Sequence, residues 1–238
     1  MGIRASGAFA AALLFFAAAE AGAVEAGAGA SGTAGSGGYR RLALFADASW
    51  NGSRIEPYAW GETSFSRDLR QFSLGGGAWD NWSETGRGKA GLGFTAGRYD
   101  SGQSAGSVIT ELGAEKDVEA ATVGAEWRLT YGTLSSSRDA PALENAANAR
   151  SRGRRARAAD IESYAVNSLA AYGRGRTRLG VLGLRLGADL PSGGDAIVSE
   201  TVSLRIPAAK NVWVTPAVTF EQGGSDAVYG SLSLYCRL

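Results

Sequence analysis

From Ala121 to Thr133 the chain alternates strictly, and no helix can reproduce that alternation. Ala121, Val123, Ala125, Trp127, Leu129 and Tyr131 are apolar, while Thr122, Gly124, Glu126, Arg128, Thr130 and Gly132 are small or polar. Successive side chains of a strand point to opposite faces, whereas a helix would scatter these residues around its axis. The stretch therefore predicts a two-faced β-strand.

The same two-sidedness recurs in Leu69–Asp80, Lys89–Tyr99, Arg178–Leu190, Asn211–Glu221 and Ala227–Leu238. Weaker versions occupy Arg41–Trp50, Arg54–Phe65, Ser107–Lys116, Glu162–Arg174 and Ala196–Ile206. Turn formers punctuate them: Asn51-Gly52-Ser53, Asp100-Ser101-Gly102, Pro191-Ser192-Gly193-Gly194-Asp195 and Gln222-Gly223-Gly224-Ser225-Asp226. These strands exceed the roughly 5–6 residues of soluble sheets and match the roughly 9–11 of a tilted membrane-spanning strand. The polar faces are rich in Gly, Ser and Thr, as suits a narrow wet lumen. Tyr58, Trp60, Trp79, Trp82, Tyr99, Tyr131, Tyr172, Trp213 and Tyr229 lie near segment ends, where aromatic girdles are expected at membrane interfaces.

The reading is therefore all-β, a closed antiparallel transmembrane barrel. Single-chain bacterial barrels have an even strand number, and eleven segments are read here. Either one weak segment is false or a strand is missed, with Leu134–Asp160 as the place to look. About ten strands are expected, within a range of 8–12. A soluble periplasmic barrel that binds an apolar ligand is the alternative; it requires the apolar faces to point inward.

The N-terminus reads separately. Met1-Gly2-Ile3-Arg4 is a short basic start, and Ala8–Ala19 is unbroken apolar. Small-x-small sites follow at Ala19-Glu20-Ala21 and Ala21-Gly22-Ala23. That is a signal peptide over 1–23, cleaved near Ala21 or Ala23, because the apolar run is shorter than the roughly 20 residues of a helical span. Residues 24–38, almost entirely Ala, Gly, Ser and Thr, are expected to be a flexible leader with too little apolar surface to fold. Residues 39–238 would form the barrel, with a long Arg-rich loop at 135–159.

Composition narrows the chemistry. The chain has 24 Lys+Arg against 23 Asp+Glu, a net charge of +1, so no global field draws it to nucleic acid. There is no histidine, the commonest general base and metal ligand. One cysteine, Cys236, excludes a disulfide within the chain. Of 238 residues 35 are glycine, well above the usual share of about 7%. Gly75-Gly76-Gly77 is not followed by a Gly-Lys-Ser/Thr motif, so small residues inside a tight barrel explain it better than a phosphate loop does. No catalytic, cofactor-binding or metal-binding residues are identified, and no cofactor is expected.

Two groups of side chains remain as binding candidates. Glu126, Arg128, Arg185 and Asp189 fall on polar faces, where they would line a pore or cross-link the interior. Arg150, Arg152, Arg154, Arg155 and Arg157 crowd eight residues of the long loop and could bind phosphates, as on lipopolysaccharide, or form a solvated loop.

A signal peptide followed by two-sided strands running to Ser233-Leu234-Tyr235-Cys236-Arg237-Leu238 resembles the bacterial outer-membrane β-barrel proteins. In that family the last residue is usually Phe; Leu238 stands there instead. The resemblance implies residence in the outer membrane among its lipids, insertion by the barrel-assembly machinery, and a porin-like channel or structural role. Family members that are enzymes rely on histidine, so no enzymatic activity is expected here. A translocator barrel and a loop-mediated adhesin are minor readings.

Overall fold

The computed structural model describes residues 24–51, 54–100, 102–135, 161–223 and 226–238. Twelve strands are seen, in chain order: β1 (Val24–Gly35), β2 (Arg40–Trp50), β3 (Ile55–Ser66), β4 (Leu69–Asn81), β5 (Gly86–Tyr99), β6 (Ser104–Val118), β7 (Ala121–Ser135), β8 (Ile161–Arg176), β9 (Val181–Pro191), β10 (Ile197–Ala209), β11 (Val212–Gln222) and β12 (Ala227–Arg237). Each pairs antiparallel with its chain neighbour, and β1 closes on β12 to complete a barrel. A short 3-10 turn, Ser36–Gly38, joins β1 to β2.

All eleven segments read from the alternation are strands. The expected ten is corrected to twelve, because the additional strand is β1, inside the stretch expected to be a flexible leader. The alternation in β1 is present but muted. Val24, Ala26, Ala28, Ala30 and Ala34 face outward; Glu25, Gly27, Gly29, Ser31, Thr33 and Gly35 face inward by their pairing with β2 and β12. Alanine carries too little apolar surface to stand out in sequence. Once two neighbours supply the whole hydrogen-bond ladder, however, a strand forms without large side chains.

Strand direction explains why β1 is needed. Along an up-and-down meander β2 and β12 run the same way, so joining them directly would make a parallel seam. Interposing β1 makes every pair antiparallel and leaves no unpaired edge, the condition for crossing a bilayer with strands. Glu25 and Arg237 form an ion pair across the β1–β12 seam.

The apolar faces turn outward. Leu44, Leu74, Leu92, Phe94, Val123, Leu184, Leu186, Val218, Leu232 and Leu234 are exposed, whereas Ser64, Ser73, Glu111 and Glu115 are buried. A soluble barrel would invert this arrangement, so the apolar-ligand alternative is excluded by the direction of these side chains. With strands about 4.8 Å apart and tilted about 40°, twelve strands enclose a backbone cylinder about 24 Å across.

The two ends differ. One end holds the start of β1, the end of β12 and the short connections 51–54, 82–85, 119–120, 177–180 and 210–211. By strand parity, β7 ends and β8 begins at the other end. The loop arginines Arg150, Arg152, Arg154, Arg155 and Arg157, like residues 1–23, lie outside the described residues.

Candidate functional site: the lumen

An antiparallel row carries one face across the barrel, so inward residues of neighbouring strands meet in register. On β3–β9 these rows interleave charge, aromatic rings and glycine. One row reads Glu115–Gly124–Tyr172. Tyr172 lies flat across Gly124, and its hydroxyl donates to Glu115 Oε2 at 2.7 Å. A Cβ on Gly124 would overlap the tyrosine ring.

The next rows repeat the device. Tyr58 crosses Gly77 and Gly91 and donates to Glu111 Oε1 at 2.5 Å. Lys89 passes over Gly113 to reach Glu126 Oε1 at 3.0 Å. At the seam Tyr235 of β12 passes over Gly27 to donate to Asp47 of β2 at 3.3 Å. Gly27, Gly77, Gly91, Gly113 and Gly124 thus lie where a long side chain runs along the wall to a partner two or three strands away.

Three carboxylates anchor the network. Glu115 accepts from Arg87 Nε at 2.7 Å, Arg174 Nη2 at 2.7 Å and Tyr172. Glu126 is shared by Lys89 and by Arg185 Nη1 at 2.9 Å. Glu111 faces Arg128 Nη2 at 3.4 Å and Lys89 Nζ at 3.7 Å. Arg87 also stacks on the Trp79 ring, 4.3 Å from its centroid. Among the described residues no buried side-chain nitrogen or oxygen lacks a hydrogen-bond partner. That matters, because an uncompensated buried charge is far costlier than a paired one.

Depth separates the carboxylates from the arginines, with Lys89, 12% exposed, recessed beside the acids. The Glu115 and Glu111 side chains are only 7% and 8% exposed, against 47% for Arg174, 47% for Arg128 and 46% for Arg185. The acids sit against the wall and the guanidinium groups stand in the open bore. Half of each of these guanidinium side chains is therefore reachable from the bore.

The four residues singled out in sequence, Glu126, Arg128, Arg185 and Asp189, all line one cavity of about 270 Å³ in this bore. Lys89 and Glu111 line it too and were not singled out. Their signal was available: Lys89 opens the clear segment Lys89–Tyr99 on its polar face. Glu115 and Arg174, which close the network toward the termini, were likewise passed over. The cavity holds no group of three or more potential metal ligands among the described residues.

The aromatic residues correct another expectation. Tyr58, Trp60, Trp79, Tyr99, Tyr172, Trp213 and Tyr229, expected in interfacial girdles, occupy inward positions by register. Of that set only Tyr131, on the outer face, and Trp82, in a turn, are strongly exposed. Nearness to a strand end does not say which face a residue takes; its parity with the leucines does. At the end away from the termini, Tyr99 and Leu134 pack with Leu69, Ala105 and Tyr164 into an apolar cluster inside the bore.

No family model and no curated protein matches the chain. Solved structures do match its fold. An outer membrane channel from Pseudomonas putida F1 superposes with a TM-score of 0.63 at 9% identity, covering 91% of this chain and 96% of that one. The NanC porin gives 0.61 at 8% identity over 89% and 100%. The beta domain of the Bordetella autotransporter BrkA gives 0.55 at 15% identity over 90% and 98%. At these identities the likeness is one of fold. The chain shares with them the fold of a closed antiparallel β-barrel.

Proposed function

We propose that this protein is exported to the bacterial outer membrane and forms a narrow, water-filled channel for small hydrophilic solutes, without catalytic activity. The carrying observation is the half-exposed guanidinium groups of Arg128, Arg174 and Arg185, held by recessed carboxylates around an open bore. Twelve strands leave room where eight are just filled by side chains. Likeness to a channel and a porin supports the reading. A translocated polypeptide would have to pass this network of charges, which favours the channel over the translocator.

Export rests on the signal peptide expected over 1–23, cleaved near Ala21 or Ala23, ahead of the barrel strands. The end bearing the termini and short turns is assigned to the periplasm, which puts residues 136–160 outside. Insertion by the barrel-assembly machinery and contact of the loop arginines with lipopolysaccharide phosphates belong to the same reading. Liposome swelling tests it. Proteoliposomes should admit small sugars and amino acids and exclude solutes wider than the bore; swelling no faster than protein-free liposomes would refute it.

A further inference from the structure

In the bore Arg87, Lys89, Arg128, Arg174 and Arg185 are paired with carboxylates, but a set of arginines on the outer wall is not. Arg70 on β4 and Arg98 on β5 stand directly opposite each other, both outward and exposed. Neither makes an ion pair with another described residue. Like charges at directly opposed positions repel, and the neighbouring acids Asp68 and Asp100 lie in the adjoining turns without pairing to them. Arg40, at the start of β2, is likewise outward and exposed on the same sector.

Position gives this pair a meaning. Both arginines lie one residue from a strand terminus, at the end away from the chain termini. Their outward row reads Leu42–Phe65–Arg70–Arg98, with Leu42 and Phe65 exposed. Two residues further into the barrel on each strand come Phe72 and Ala96, then the exposed Leu74 and Phe94. The pair therefore marks the height at which the apolar band gives way to charge.

We infer that Arg70 and Arg98 form a phosphate-binding site for an outer-leaflet lipid. The phosphorylated headgroup bridges the two guanidinium groups, and its acyl chains lie along Phe65, Leu74 and Phe94. An anion between them turns a repulsive cross-strand pair into two charge-assisted contacts, the geometry that guanidinium forks favour. This site rests on the membrane placement proposed above and is distinct from the Arg-rich loop.

The test uses the full mature chain refolded in non-ionic detergent, with native mass spectrometry of bound bisphosphorylated lipid A. The wild type should retain the lipid. Arg70→Gln with Arg98→Gln should weaken retention about tenfold or more, and Arg70→Lys with Arg98→Lys should recover part of it. Lys116→Gln with Lys210→Gln, which removes the same charge near the other rim, should change nothing. The heat-shifted gel band confirms that each variant is a folded barrel, and fractionation of cells expressing the full chain reports the membrane placement separately. Equal retention by all variants, or equal retention of lipid A stripped of its phosphates, overturns the site. Displacement by an equal concentration of inorganic pyrophosphate overturns the assignment to a lipid.

Discussion

The two halves of the bore are built on different principles. From β3 to β9 the inner wall is a network of Glu111, Glu115 and Glu126 with Arg87, Lys89, Arg128, Arg174 and Arg185, threaded over glycines. From β10 through β12 to β1 its middle carries Ser199, Thr201, Ser203, Thr215, Ser231, Ser233, Ser31 and Thr33, with a Thr201–Thr219 hydroxyl contact at 2.9 Å. A hydroxyl is satisfied by water wherever it stands. A charge recessed against the wall is satisfied only by its particular partner. The charged wall should therefore be sensitive residue by residue, and the hydroxyl wall should matter for closing the ring.

The largest effect expected is from the hydroxyl side, as a strand. Removing residues 24–35 leaves β2 and β12 as parallel, unpaired edges, and the heat-modifiable gel band should disappear altogether. Next comes Glu115→Ala, which strands Arg174 and leaves Arg87 only Glu56 at 3.7 Å and the Trp79 ring. A broken buried pair costs about 3–5 kcal/mol; because Arg174 is half in water, the lower figure is expected, read as a lower denaturant midpoint in micelles.

Glycine sharpens the contrast. Gly124→Ala would force Tyr172 off Glu115 and should cost about 1–3 kcal/mol. Gly183→Ala meets only the Ser203 hydroxyl at 2.7 Å, which can rotate away. The smallest effects belong to Ser233→Ala and Thr215→Val, within about 0.5 kcal/mol. Equal sensitivity of the two walls would break the comparison.

Legibility in the sequence followed the same division. Strands with leucine and phenylalanine outside, such as β5, β9 and β12, were plain, and the weak segments β2, β3, β6, β8 and β10 were also real. β1 escaped because its outward face is alanine and its inward face glycine: the right period at an amplitude too low to notice. Its small residues are needed in place, since Gly27 and Gly35 lie beneath Tyr235 and Tyr229. At the site, alternation puts Glu126, Arg128, Arg185 and Asp189 on polar faces, and the closed ring brings them to one cavity. Alternation could not tell that Lys89 reaches Glu126 or that Tyr172 reaches Glu115, because those contacts depend on the order of strands around the ring. For the aromatic residues strand-end position suggests girdles, but parity with the outward leucines decides their face.

Single-channel recording in planar bilayers tests the central claim, an open bore whose charged wall presents guanidinium groups to water. The account predicts discrete conductance steps with a reversal potential favouring anions in a salt gradient, shifting toward cations in Arg128→Gln with Arg185→Gln. A folded barrel that gives no steps would contradict the open bore, and an unchanged reversal potential in the double variant would contradict the part assigned to its charged wall.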